Sequence, residues 1–550
     1  MPRHSPGSRP VPGLLRPLGS LLLAACLGVA GGAAAADVPT REATLATMKR
    51  ATRFMVEEVA TEGGYVWSYL PDRSRQWGEL EAYPSMIWVQ PPGTATMGHL
   101  FLDAYHATGD AYYYDAARQA ADALVAGQHD SGGWNYLIDT AGEDSLRKWY
   151  DTIGRNAWRL EEFQHDYGNA TFDDGGTSEA MQFLLRLYLE KRDAAYRAPL
   201  EKAIDFVLDS QYPIGGWPQR YPHGEPVGLH GLPDYTPLIT FNDDVAEENI
   251  EFLLMVHRTL DYERERVLDA IGRAMNAFLV TQQGQPQPGW GLQYTTPDLK
   301  PAGARSYEPN GIVTHATAAN VRKLMDFYRL TGDSKFLARI PEALDWLDRV
   351  RLPEALVVDG RTHPTFLEIG TDRPIYLHRR GSNVSNGAYY TDHDPANTIG
   401  HYGSTRRIDV AALRAEYEAL ANTPPEQASE GSPLLNGGSA LPRYFTLRDV
   451  SVSDLNVGVL RGRNDDVAPE AAAALIDSLD AQGWWPTELR STSHPYIGDG
   501  PRTPPPGDYA QTLVGDASDT SPYRAETPVM GISTGAYIEH MGTLIRYLEP

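Results

Sequence analysis

The sequence predicts an all-α fold, an (α/α) toroid of about six helical hairpins. Three observations predict it. Amphipathic helical periods of about sixteen residues recur along most of the 550-residue chain. A Gly-aromatic turn follows them: "GGYVW" at 63–67, "GGW" at 132–134 and 215–217, "PGWG" at 288–291 and "QGWW" at 482–485. A second, more apolar helix follows each turn, and the last of these resembles an earlier one, since "EAMQFLLRLY" (179–188) and "EHMGTLIRYL" (539–548) are alike. A helix of that kind at the end suits a closed ring better than an open solenoid, which would end in a polar cap.

The first helix of each unit reads "ATLATMKRATRFMVEEV", "YYDAARQAADALVAGQ", "YRAPLEKAIDFVLDSQ", "RVLDAIGRAMNAFLVTQ" and "APEAAAALIDSLDAQ". A further one, "SKFLARIPEALDWLDRV", ends in "RLPEA" and lacks the Gly-aromatic turn. The second helices start at 94, 177, 246, 316 and 534. Regularity is weakest between 351 and 467. Long loops are expected at 351–467 and 499–530, inside a single toroid domain spanning 37–550.

Ahead of that domain, Arg3, Arg9 and Arg16 precede "LGSLLLAACLGVAGG" and "AAAAD", the pattern of a secretory signal peptide over residues 1–36. Cys26 in "LAAC" has the form of a bacterial lipid-attachment site, so free secretion (or a periplasmic location) and an outer-membrane lipoprotein are both open. Cys26 is the only cysteine, so the mature chain holds no disulfide. The net charge of −24 disfavours a nucleic-acid partner, and a monomer is expected. No Walker loop, dinucleotide fingerprint, nucleophile elbow or zinc-helix motif is present.

Chemistry is expected in the loops that lead into the second helices. "TFDDGG" (171–176) and "TFNDD" (240–244) each precede an apolar "FLL" at the same spacing. The plain reading is helix capping. Two adjacent acids repel each other, however, and a hard oxygen-loving cation would relieve that repulsion. Asp173, Asp174, Asp243 and Asp244 are therefore candidate metal ligands. Gln293, Arg305, Glu308, Arg373 and Arg379 lie in further Pro/Gly-bounded loops, where guanidinium groups suit carboxylate recognition. Trp217 and Arg220 are candidates for sugar contact, although the recurrence of Gly-Trp favours packing for most tryptophans.

Four segments together resemble polysaccharide lyase family 10, the pectate lyases: "TFDDGGTSEAMQFLLRLY", "GGWPQRYP" with "ITFNDD", "GLQYTTPDLKPAGARSYEP" and "DRPIYLHRRGS". The resemblance covers roughly residues 128–385, about half of the mature chain. It implies a helical-toroid lyase that cleaves a polyuronate by β-elimination, with Ca2+ assisting. It implies Arg305 as the base, Asp173 and Asp243 as calcium and carboxylate ligands, and Arg379 as a substrate-binding arginine. The chain departs from the pattern at Asp174, where an amide is expected, and at Thr365, where a second arginine is expected. A glycoside hydrolase using an Asp pair and a non-catalytic carbohydrate-binding homologue are the competing readings.

Overall fold

The computed structural model describes residues 38–156, 161–380, 388–396, 398, 402–436, 441–446, 466–489 and 529–549. The expected leader at 1–36, the lipid site at Cys26 and most of the 499–530 loop lie outside the described residues. No helix among the described residues is long and apolar enough to cross a membrane.

Among the described residues, six helical hairpins form the ring. Their helices are α1 Arg41–Phe54 with α2 Thr94–Thr108, α3 Ala111–Ala126 with α4 Gly176–Lys191, and α5 Arg197–Ser210 with α6 Val245–Thr259. Then come α7 Arg264–Thr281 with α8 Thr314–Thr331, α9 Ile340–Arg349 with α10 Val410–Ala421, and α11 Pro469–Ser478 with α12 Thr534–Leu548. The inner helices α2, α4, α6, α8 and α12 share one continuous apolar core with the outer helices and the Gly-aromatic turns. Within the expected loop 351–467 the chain instead forms α10 and an antiparallel hairpin, Pro374–Arg380 with Ala388–Asp392. The periodicity of α10 is weak because only Val410, Leu413 and Leu420 are buried.

The Gly-aromatic turn is a packing device. The indole N–H of Trp134 donates to Leu124 O at 2.8 Å, that of Trp217 to Val207 O at 2.8 Å, that of Trp290 to Phe278 O at 3.0 Å and that of Trp485 to Leu475 O at 2.9 Å. Each indole thus ties its turn to the helix before it and satisfies a carbonyl near that helix's C-terminal end. The first glycine of the pair meets the next outer helix. A Cβ on Gly132 (φ +110°) would lie 2.1 Å from Lys202 O, and one on Gly215 (φ +105°) 2.0 Å from Arg273 O. The glutamine that ends each outer helix bridges to the same neighbour: Gln128 to Pro199 O at 2.9 Å, Gln211 to Ala270 O at 2.9 Å and Gln282 to Arg339 O at 3.2 Å.

The ring closes between its last and first units. Arg50 of α1 donates to Asp480 O at 3.0 Å, Thr52 shares a 2.7 Å hydrogen bond with Tyr537, and Ser68 pairs with Ser533 in a short antiparallel ladder. The segment 441–446 plugs the end of the ring where the inner helices finish. Phe445 stacks on His99 at 4.9 Å, and the Phe445 and Thr446 N–H groups donate to Asp103 at 2.9 and 2.8 Å. The acid-bearing turns lie at the other end, where the inner helices begin.

Glycine at the close approach is testable. Gly215→Ala places a methyl group against a backbone carbonyl and is expected to cost about 3 kcal/mol or more. Gly109→Ala, at φ +72° with nothing within 4 Å, is expected to cost only about 1 kcal/mol. Thermal unfolding of the two variants checks the difference.

Candidate active site

The site forms where two inner helices begin. In each, a Thr-Phe pair is strung between its own Gly-Trp turn and the next one. Thr171 N donates to Trp134 O at 2.8 Å and Phe172 N to Gln219 O at 2.9 Å; Thr240 N donates to Trp217 O at 2.9 Å and Phe241 N to Leu292 O at 2.8 Å. The two acid pairs follow at once. Asp174 (φ 49°, ψ 36°) and Asp243 (φ 52°, ψ 35°) are left-handed, and so are the residues after them, Gly175 (φ 68°) and Asp244 (φ 55°). The structural equivalents are thus Asp173 with Asn242 and Asp174 with Asp243. A left-handed non-glycine residue costs about 1 kcal/mol. Capping does not explain it, because neither α4 nor α6 receives a side-chain cap hydrogen bond.

The strained turns bring Asp173, Asp174 and Asp243 together, with ligand oxygens within 4.8 Å of one another. Asp244 is exposed and stands outside this cluster.

Arg305 closes the cluster. It is 4% exposed. Its guanidinium donates to Asp173 at 3.1 Å, to Asp243 at 3.0 Å and to both Glu308 oxygens at 2.9 and 2.8 Å. Glu162 stands 3.4 Å away. Burial opposes the charge, but Glu308, Tyr307 and Asp173 outweigh it and hold the Arg305 pKa well above its usual value. The acids divide. Burial works against the Asp173 carboxylate, yet Arg305 and several hydrogen bonds bring its pKa below the usual range. Burial and the neighbouring carboxylates push Asp174 and Asp243 up. Burial raises Glu161 to about 7 and Glu162 to about 8.

Several of these residues have no motif to announce them. Glu162 sits in an ordinary "LEEF". Tyr136 donates to Asp173 and Tyr402 to Glu308, the latter at 2.8 Å. Gln90, wholly buried, receives the Trp88 indole N–H at 2.9 Å on its oxygen. That turns its amide nitrogen toward Asp174 at 2.8 Å and Glu79 at 3.0 Å. Tyr136 alone carried a signal, two residues after the Trp of a repeating turn.

Other expected residues serve differently. Trp217 has no exposed surface and packs as described, so it is no sugar platform. Arg220 is 1% exposed, bonded to Asn135 and Asn169 and lying 5.2 Å from the Tyr136 ring. It is an interior brace beneath the tyrosine that holds Asp173, out of a substrate's reach. Glu308 is fully engaged by Arg305, Asn242 and Tyr402 and braces Arg305 instead of meeting a substrate. Gln293 is buried on the strand beside Thr240, with neither amide atom hydrogen-bonded. Arg373 is exposed at the foot of the Pro374–Arg380 strand, outside the cluster. Arg379 lies on that strand, but its side chain is outside the description. A cavity of about 570 Å3 opens at the plugged end of the ring and contains none of the cluster residues.

Residues 144–390 match the family model described as pectic acid lyase. Over this stretch the chain is pectate lyase-like, and polysaccharide cleavage by a lyase is the activity class that goes with the match. Asp173, Asp174, Asp243 and Arg305 of the pectate lyase-like segment lie inside it; Gln90 and Tyr402 lie outside. No curated protein matches the chain. Among solved structures, a family 10 polysaccharide lyase from Cellvibrio cellulosa is 20% identical, covering 50% of this chain and 84% of its own, with a TM-score of 0.35. A mutant of that lyase in complex with trigalacturonic acid is 17% identical, covering 60% and 97%, with a TM-score of 0.40. A cellobiose 2-epimerase from Spirochaeta thermophila is 14% identical, covering 92% and 96%, with a TM-score of 0.39. Those scores are low, and the toroid rests on the chain's own packing.

Two outcomes follow. Glu161 and Glu162 hold protons in the folded chain at pH values where the unfolded chain, with pKa values near 4.5, has lost them. Folding stability in chelator is therefore expected to fall as pH rises from about 4.5 to about 8, measured as the unfolding midpoint. Second, Gln90→Glu sets a carboxylate against Asp174 and Glu79 and is expected to cost about 1–3 kcal/mol. Adding Asp174→Asn exchanges amide and acid across the same hydrogen bond. The double variant is expected to regain most of that loss.

Proposed function

We propose that the protein is a secreted polysaccharide lyase that cleaves pectate or a related polyuronate by β-elimination, released from its leader at 1–36. The observation that carries this reading is Arg305, buried among Asp173, Asp243 and Glu308 inside the segment that matches the pectic acid lyases.

The reaction breaks the C5–H and C4–O bonds of a uronate and forms a C4–C5 double bond. The difficulty is charge, because a carbanion develops beside a carboxylate. The donor set fits a hard cation. Asp173, Asp174 and Asp243 offer carboxylate oxygens within 4.8 Å of one another, and Asp173 Oδ1 is buried without a hydrogen-bond partner among the described residues. Ca2+ bound there would neutralise the substrate carboxylate and stabilise the developing charge.

Arg305 can serve as base only where its proton is released. In the free protein the surrounding carboxylates hold that proton in place. Loss of their charge to a cation is what would lower its pKa, so the base role is coupled to occupancy of the acid cluster. An alkaline pH optimum is the consequence. The hydrolase reading would use Asp173 and Asp243, whose pKa values are driven apart as in an acid–base pair.

Incubation with polygalacturonate at alkaline pH, with calcium or chelator, separates the readings. A lyase product absorbs in the ultraviolet; a hydrolase product does not. Calcium-dependent absorbance is expected. Arg305→Lys is expected to lower kcat about 100-fold or more while oligogalacturonate binding persists. A flat or acidic pH–rate profile would count against Arg305 as the base, and no absorbance change on any polyuronate would remove the lyase reading.

A further inference from the structure

Among the described residues Arg406 is a cation without an anion. Its Nε is buried and has no hydrogen-bond partner, and no carboxylate pairs with its guanidinium among the described residues. Burial lowers its pKa and the neighbouring Arg361 charge adds to that; Tyr402 works the other way, and the balance stays below the usual arginine value. Arg305 is in the opposite condition, ringed by carboxylates. In a chain with 72 acidic residues, an arginine left unpaired in partial burial needs an explanation.

Its position supplies one. The strand Thr405–Arg406 pairs antiparallel with His363–Pro364, with Arg406 opposite His363. The ladder continues to Thr365, which donates from its N–H to Ser404 O at 2.9 Å and from its hydroxyl to Gly403 O at 2.6 Å. Arg406 thus stands on the strand beside Thr365, the position that lacks an expected arginine. Four residues before Arg406, Tyr402 accepts from Arg305 at 3.3 Å and donates to Glu308 at 2.8 Å. His315, in the first turn of α8, lies close enough to Arg406 to feel its charge. Burial, then Arg406, pushes its pKa down to about 3, and its buried Nδ1 has no partner. A neutral imidazole and an uncompensated guanidinium therefore share this corner, one tyrosine away from the acid cluster.

A buried unpaired guanidinium lowers the stability of the free protein. It becomes favourable when a ligand brings a planar anion, and a carboxylate matches its fork. We propose that Arg406, with His315 beside it and the exposed Arg361 at its edge, forms a carboxylate-binding subsite that takes one uronate carboxylate of the bound polysaccharide. The subsite rests on the polyuronate reading above. It divides the cleft into two poles: acids that call for a cation, and Arg406, which calls for an anion carried by the substrate.

The test is Arg406→Gln, followed by KM and kcat on polygalacturonate and by thermal unfolding with and without trigalacturonate. KM is expected to rise about tenfold or more, the size of one charge-assisted hydrogen bond, with kcat changed less than about threefold. The free variant is expected to melt no lower than the wild type, and its trigalacturonate-induced shift to shrink. Arg406→Lys is expected to recover part of the affinity. Arg361→Gln, at an exposed position that spares the core, is expected to raise KM by a smaller factor. Unchanged KM and an unchanged ligand shift in Arg406→Gln would overturn the subsite while leaving the lyase reading intact. A wild-type protein that neither cleaves nor binds any polyuronate would end both.

Discussion

A guanidinium that is 4% exposed keeps its charge only among anions, and the anions around Arg305 come from four separate stretches of chain. Asp173 and Asp243 arrive from the starts of two adjacent inner helices, Glu162 from a short helix between units, and Glu308 from three residues further along the Arg305 loop. The arrangement depends on the ring, because no single hairpin could deliver all four. It also overshoots. Burial, together with more carboxylates than one guanidinium can neutralise, pushes Asp174, Asp243 and Glu162 toward their protonated forms. That surplus is the physical case for a cation in this site, independent of any family.

The repeat makes this geometry reproducible. Each Gly-Trp turn is pinned by its indole to the preceding helix and by its glycine to the next. The Thr-Phe segments are suspended between successive turns like rungs. Once two rungs are parallel, the same left-handed step in each aims Asp174 and Asp243 at one point. Backbone strain here does not serve helix capping. The surrounding hydrogen bonds hold it in place.

The acid pairs, Arg305 and the helical periods were legible because each is written in a short window. Glu162, Gln90 and Tyr402 were not. They sit in plain sequence contexts and acquire meaning only from neighbours in distant segments. Gln90 is the clearest case: it lies outside the lyase-matching stretch, yet it sets an amide against Asp174, the position at which an amide was itself expected. Trp217 and Arg220 were misleading for the converse reason. Tryptophan and arginine recommend themselves for sugar and carboxylate contact, but both are completely enclosed and braced from behind the site.

By itself the sequence determined the helices, their pairing through a recurring turn, and the closure of the ring, because periodic burial and glycine geometry are local properties. It also placed the acids at helix starts. Only the tertiary structure decided which carboxylates share Arg305, that Asp244 faces solvent, and that Arg406 is left without an anion among the described residues. Those are statements about charges separated by tens to hundreds of residues, and electrostatic partnership in an interior is set by packing distance and burial, not by order along the chain.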